Sequence, residues 1–264
     1  MNIKDYVTLR KKELKMAIQE MGKKPSLAII NTLKSPATDS YIRGKVKDAE
    51  EIGIKADVFY FEESLTIEEF QKQIKELPHD AIILQLPLHP NYAPYKNKLL
   101  NTIPYYKDVD GLGAFADFKP CTPSGIVSFL LENKVPVVGQ NVVIIGRSDL
   151  VGKPLAKLML DQNATVTLCH SYTKDLAQYT LNADIIVCAV GKPGMLTEDH
   201  VRHDGSQIVI DVGINRVNGK LCGDVSPEVK DCVKYLSPVP GGVGLLTRLA
   251  LMENTFMAAM GRKE

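Results

Sequence analysis

Four sets of residues in this chain have the types and spacing that chemistry requires. Tyr41 and Lys45, in Tyr41-Ile42-Arg43-Gly44-Lys45, stand one helical turn apart, so both side chains leave one face of a helix. An ammonium in a cleft beside an aromatic ring can have its pKa lowered and take part in proton transfer. The same spacing also describes an ordinary solvated lysine, the commoner case. Gln85 interrupts the apolar run Ile82-Ile83-Leu84-Gln85-Leu86-Pro87. A buried amide needs partners, so it either serves the backbone or faces a ligand or a lysine. Asp110 lies in the turn-rich loop Lys107-Asp108-Val109-Asp110-Gly111, where a carboxylate either grips a polar heterocycle through paired hydrogen bonds or bonds its own backbone.

The fourth set is Val142-Val143-Ile144-Ile145-Gly146-Arg147-Ser148-Asp149-Leu150-Val151-Gly152-Lys153-Pro154. A continuous apolar run suits a strand buried on both faces of a parallel sheet. Gly146 permits a sharp turn, and the helix that follows aims free N–H groups and its positive dipole end at a phosphate. This reads as a dinucleotide-binding turn, although Ser148 replaces the second glycine of Gly-x-Gly-x-x-Gly and the last arrives late, at Gly152. An acid at the end of the next strand would favour NAD; here that strand ends in Cys169-His170-Ser171-Tyr172. With Arg147 in the first turn and the Ser171 hydroxyl nearby, NADP is the expected cofactor, Asp149 being the one dissenting charge.

The elements that must hold these residues alternate. Helices are predicted over 4–21, 38–52, 66–77 and 93–102, with strands over 26–31, 54–61 and 81–86. A helix start is predicted at Cys121-Thr122-Pro123, with Thr122 capping and Pro123 first in the helix. A second series follows: strands 142–145, 165–169, 184–190 and 207–212, and a helix over 154–160. A last helix covers 246–260 and buries Leu249, Met252, Phe256 and Met260. Such alternation implies βαβ units and parallel sheets, with ligands at the carboxyl ends of strands.

Composition narrows the class. With 264 residues, 45% apolar and a net charge of +1, the chain has no electrostatic footprint for nucleic acid or an acidic membrane surface. No run approaches the ~18 apolar residues of a membrane span, and the opening residues lack the apolar centre of a signal peptide. Five cysteines without a Cys-x-x-Cys pair, and histidines without metal-ligand spacing, point to a reduced, metal-free cytoplasmic protein.

Seven motifs occur in order: Tyr41-x-x-x-Lys45, Leu84-Gln85-Leu86-Pro87-Leu88, Lys107-Asp108-Val109-Asp110-Gly111, Pro120-Cys121-Thr122-Pro123, Gly146-Arg147-Ser148-x-x-Val151-Gly152-x-Pro154, Asp211-Val212-Gly213-Ile214-Asn215 and Pro238-Val239-Pro240-Gly241-Gly242-Val243-Gly244. Through them the chain resembles the bifunctional methylenetetrahydrofolate dehydrogenase/methenyltetrahydrofolate cyclohydrolase family over nearly its whole length. The resemblance implies an α/β fold of two domains around a cleft: a folate-binding catalytic domain over 1–120, joined by a C-terminal helix over 245–264, and a Rossmann-like NADP-binding domain over 121–244. It implies tetrahydrofolate derivatives as ligands and a homodimer. Lys45 would be the catalytic lysine, Tyr41 would pack on folate, Gln85 would position the lysine and Asp110 would hold the pterin. Leu84, Leu86, Pro240, Gly241, Gly242 and Val243 would complete the substrate site. Gly146, Arg147, Ser148, Val151, Ser171, Gly191, Ile214 and Gly244 would line the NADP site, and Pro240 to Gly244 would close over the cleft.

Four departures from the family pattern accompany the resemblance. The strand with Asp-Gly-Lys ahead of the opening helix is missing, and the segment between Gly111 and Pro120 is short and lacks Asn-x-Gly-x-Leu. Leu245 replaces a proline, which would loosen the start of the last helix, and Ser226-Pro227 replaces Asp-Phe. Two competing readings are a dehydrogenase that has lost the hydrolytic step, against which Lys45 and Gln85 argue, and a non-catalytic dinucleotide sensor, which would not need Asp110.

Overall fold

The computed structural model describes residues 1–261; residues 262–264 of the helix expected over 245–264 lie outside the described residues. The chain divides into two compact units. The first comprises Thr8–Cys121 and the chain from Arg248 onward, and the second comprises Thr122–Thr247 with Met1–Val7. The opening seven residues therefore group with the second unit rather than the first, and the return to the first unit falls at Arg248 instead of residue 245.

In chain order the first unit carries α1 (Ile3–Glu20, within which the division falls), β1 (Ser26–Asn31), α2 (Pro36–Ile52), β2 (Lys55–Tyr60), α3 (Ile67–Glu76), β3 (Ala81–Leu84) and α4 (Lys96–Leu100). A single 3-10 turn, Ala93–Tyr95, precedes α4. The strands form a parallel sheet in the order β2-β1-β3, with Ile29 of β1 opposite Val58 and Ile83. Period-two alternation gives the sheet two dry faces. Leu27, Ile29, Ala81 and Ile83 enter one core cluster, and Ala28, Ile30, Ile82 and Leu84 enter another.

α2 begins two residues before its expected start. Ser35 caps it by accepting a hydrogen bond from the Thr38 N–H at 3.2 Å, and Pro36 fills the first helical position, where no N–H is needed. Gly53 ends it in the left-handed region at φ 94°. β3 stops at Leu84, so Gln85 sits just past the strand rather than inside it.

The second unit carries α5 (Cys121–Glu132, whose first residue belongs to the first unit), β4 (Asn141–Ile145), α6 (Gly152–Asp161), β5 (Thr165–Cys169), α7 (Ala177–Thr180), β6 (Ile185–Cys188), β7 (Ile208–Asp211), the hairpin β8 (Asn215–Val217) and β9 (Lys220–Cys222), β10 (Tyr235–Leu236) and the start of α8 (Val243–Met260). Its five parallel strands run β10-β7-β6-β4-β5. Val142 and Ile144 pack into one cluster, and Val143 and Ile145 into another. β4 lies between β5 and β6, so successive crossovers leave it in opposite directions, the arrangement that places ligands at the strands' carboxyl ends.

Four expectations are corrected here. Thr122 does not cap α5; the helix already includes Cys121, and the Thr122 hydroxyl shares a 2.9 Å hydrogen bond with that of Thr247. β6 ends at Cys188 rather than residue 190, because the Val190 N–H leaves the ladder to donate to Asp224 at 2.7 Å. Met260 is 55% exposed, while Leu249 and Met252 are buried as expected. Leu245 does not loosen α8: its N–H donates to the Gly242 carbonyl at 2.9 Å, a bond that a proline could not make.

Candidate functional site

In the first unit, α2 carries Tyr41 and Lys45 on one face, and the Lys45 ammonium lies 5.2 Å from the centre of the Tyr41 ring. Lys45 is only 3% exposed. Its Nζ donates to Gln85 Oε1 at 3.0 Å, and Gln85 Nε2 donates to the Leu86 carbonyl at 2.7 Å. The second bond fixes the amide, so its oxygen faces the lysine. This acceptor is neutral, so it orients the amine without the charge pairing a carboxylate would supply. Burial holds the lysine below its ordinary range; Asp110 opposes this, and Arg248 adds repulsion in the same direction as burial.

Asp110 acts on both Lys45 and Cys121, whose fully buried thiol is pushed well up, first by burial and then by Asp110. The Cys121 Sγ donates to the Val109 carbonyl at 3.2 Å. Asp108 holds the loop that carries Asp110: its carboxylate accepts from the N–H groups of Gly111 at 3.1 Å and Gly113 at 2.7 Å. The short segment that follows is tied down, with Ala114 donating to Asn101 Oδ1 at 2.7 Å, and Phe115 is 83% exposed. Tyr41, Lys45, Gln85 and Asp110 are thus gathered in one place. Leu84 is not available through its side chain, which is 1% exposed in the core; Leu86 is half-buried. A cavity of about 610 Å³ in this unit lies elsewhere, over Asn31, Lys34, Tyr60, Glu63 and His89.

In the second unit the expected cofactor residues collect at the carboxyl ends of neighbouring strands. Gly146 follows β4, Ser171 follows β5, Gly191 follows β6 and Ile214 follows β7. Gly146 has φ 118°, and a Cβ there would strike the Ala189 carbonyl oxygen. A Cβ on Gly152 would strike the Gly146 carbonyl oxygen, so glycine at both positions closes the turn against the first turn of α6. The Ser148 hydroxyl accepts from the Val151 N–H at 3.2 Å, at the start of α6. The Arg147 guanidinium lies 5.6 Å from the centre of the exposed Tyr172 ring, and Lys153 donates to Asp149 at 2.7 Å. Ile214 and Pro240 to Gly244 line one cavity of about 80 Å³, although the Val243 side chain packs into the core.

Two buried aspartates brace these loops. Asp224 accepts from the N–H groups of Val190, Gly191 and Lys192 at 2.7, 2.9 and 2.8 Å, and from the Asn215 amide at 2.8 Å. Asp211 accepts from Gly213, Asp224 and Val225 at 3.0, 2.9 and 3.0 Å. Sequence reasoning missed both roles, together with Arg248, Asp48 and Tyr172. The one available signal was an acid placed directly after a glycine, in Gly223-Asp224.

An all-parallel sheet with a glycine turn and ligand-facing loops at its switch point defines a dinucleotide-binding unit; a second α/β unit here carries a buried lysine and amide. The chain belongs to the tetrahydrofolate dehydrogenase/cyclohydrolase family. Residues 2–110 match the family model for its catalytic domain, and residues 120–263 match that for its NAD(P)-binding domain. The Bifunctional protein FolD of Nitrosomonas europaea is 43% identical, the match covering 94% of this chain and 89% of the relative. The crystal structure of the bifunctional enzyme FolD from Campylobacter jejuni aligns with a TM-score of 0.92 at 38% identity, over 99% of this chain and 98% of the other. A Trypanosoma brucei enzyme of the same type, complexed with NADP cofactor and inhibitor, aligns with a TM-score of 0.90 at 29% identity, over 100% and 98%.

Proposed function

We propose that the chain oxidises 5,10-methylenetetrahydrofolate with NADP and hydrolyses the 5,10-methenyl product to 10-formyltetrahydrofolate. The observation that carries this reading is a buried lysine oriented by a neutral amide, Lys45 on Gln85. When bound, NADP accepts the hydride that leaves the one-carbon bridge. Folate nitrogen lone pairs stabilise the resulting cation, so for this step the protein chiefly orients the two ligands. Tyr41 offers its ring as a packing surface for folate, and Asp110 offers a carboxylate to pair with the pterin. Burial also makes a positive Lys45 less available to oppose the cation.

In hydrolysis the neutral Lys45 amine takes a proton from water as the water oxygen adds to the methenyl carbon. It returns that proton to the folate nitrogen that leaves as the ring opens, while the added hydroxyl loses its own proton to solvent and becomes the formyl carbonyl. Gln85 holds the amine in one direction through both transfers.

The cofactor residues fit NADP. Arg147 and Ser171, with no acid at the end of β5, suit the extra phosphate, and Gly146, Ser148 and Val151 form the turn at the start of α6. Gly191, Ile214 and Gly244 supply small or apolar surface near the strand ends. The reading also includes a homodimer, for which β5 offers an edge with β4 as its one sheet partner, and a reducing, cytoplasmic setting, in keeping with five free cysteines. No helix among the described residues is long and apolar enough to cross a membrane.

The test is an absorbance assay with methylenetetrahydrofolate, run with NADP and with NAD. NADPH formation is expected, and reduced cofactor from neither would sink the proposal. Lys45→Met should abolish methenyl hydrolysis while folate and NADP still bind. Hydrolysis at the unsubstituted rate would remove Lys45 from the mechanism.

A further inference from the structure

We infer that Arg248, docked into the gap left by Gly44 and held there by Asp48, is a positioning residue that keeps a fixed positive charge beside the catalytic turn of α2 and so favours the neutral form of Lys45. The inference rests on Lys45 being the base of the hydrolytic step.

Gly44 sits inside α2, where glycine is less favourable than alanine. The structure supplies the reason for it. A Cβ at this position would overlap the Arg248 Nη1 and lie 3.2 Å from its Cζ, so the missing side chain is what admits the guanidinium against the helix. The neighbouring residue in the chain is Lys45.

Asp48, one turn further along α2, fixes the approach. Its side chain is 7% exposed and accepts from Arg248 Nε at 2.9 Å and from Lys11 Nζ at 2.6 Å; Lys11 also pairs with Glu51 at 2.8 Å. Asp48 grips Arg248 through Nε, which leaves the far end of the guanidinium, Nη1, against Gly44. With side-chain exposures of 22% and 7%, the Arg248–Asp48 pair is only weakly screened by solvent.

The groups facing Lys45 act in known directions. Tyr41 faces it from α2, Gln85 from the turn after β3, Asp110 from the loop before α5, Cys121 from α5 and Arg248 from α8. Asp110 favours the ammonium, while burial and Arg248 oppose it. Of these groups, Arg248 is the one fixed cation.

The test is an NMR titration of the intact enzyme labelled with ¹³C at lysine Cε, the Lys45 signal being assigned by its absence in Lys45→Met. In Arg248→Met the Lys45 midpoint should move to higher pH, with Arg248→Lys close to the unsubstituted enzyme. Methenyl hydrolysis on the acid side of the midpoint should fall at least about threefold in Arg248→Met. Gly44→Ala keeps the charge but displaces it, should shift the midpoint in the same direction, and decides the matter if Arg248→Met fails to fold. A midpoint unmoved in the folded variant overturns the inference. If instead the midpoint moves but Lys45→Met still hydrolyses, the charge coupling stands and the assignment of Lys45 as base falls.

Discussion

At the scale of single residues, two of the buried ionisable groups in the first unit have opposite assignments. Lys45 is shifted by burial toward its neutral form and faces an amide, whereas Asp108 is buried at 1% exposure and spends its acceptors on the loop backbone. Desolvation, only partly offset by the Gly113 N–H and reinforced by the neighbouring Asp110 charge, pushes the Asp108 carboxyl up from 3.8 to about 6. The folded chain therefore holds this proton more tightly than the unfolded chain does. Its contribution is complete below about pH 4 and is lost as pH rises through about 6, a change of the order of 3 kcal/mol. Denaturant unfolding of the unsubstituted chain and of Asp108→Asn across this range should show the slope in the former and lose it in the latter. Parallel pH profiles would show that Asp108 titrates normally.

At the scale of elements, the loops of the second unit depend on acceptors that come from far along the chain. Asp224→Asn would keep the shape but replace one carboxylate oxygen by an NH₂ aimed at backbone donors, so a loss of about 2–4 kcal/mol is expected. Equilibrium unfolding measures it, and hydrogen exchange at residues 190–192 should accelerate; unchanged protection there would show that the carboxylate is dispensable. This dependence also explains what the sequence could and could not reveal. β1 and β5 were legible to the residue: Leu27-Ala28-Ile29-Ile30 is apolar on both faces, and Thr165-Val166-Thr167 is a β-branched run. The helix predicted over 66–77 begins where expected because its start is set locally, by a capping box of Thr66 and Glu69. The β8–β9 hairpin and β10 were not, being two or three residues long with much polar or exposed surface. Lys45, Gln85 and Asp110 could be picked out by spacing and by a polar residue in an apolar run. Arg248, Asp48 and Asp224 could not, since each acquires its role only when distant segments meet. Gly44 was the overlooked trace of one of them, a glycine inside a helix with no turn to make.

At the scale of the whole molecule, each unit has its own cores and carries its own set of site residues. A ligand that binds the folded form of one unit stabilises that unit by mass action. Hydrogen exchange with and without NADP should therefore show added protection concentrated within residues 122–247, above all at the ends of β4, β5, β6 and β7. Protection concentrated within residues 8–121 instead would place the nucleotide in the wrong unit. The two braced aspartates bear on a different matter, how the chain tolerates being rebuilt. Asp211 and Asp224 grip the two ends of the segment that contains β8 and β9, while Asn218 and Gly219 at its tip both have positive φ and form an exposed turn. What is clamped at the root can be altered at the tip. That turn is accordingly the place to graft an affinity tag or a fluorescent reporter, or to open new chain termini by circular permutation, without disturbing the strand ends.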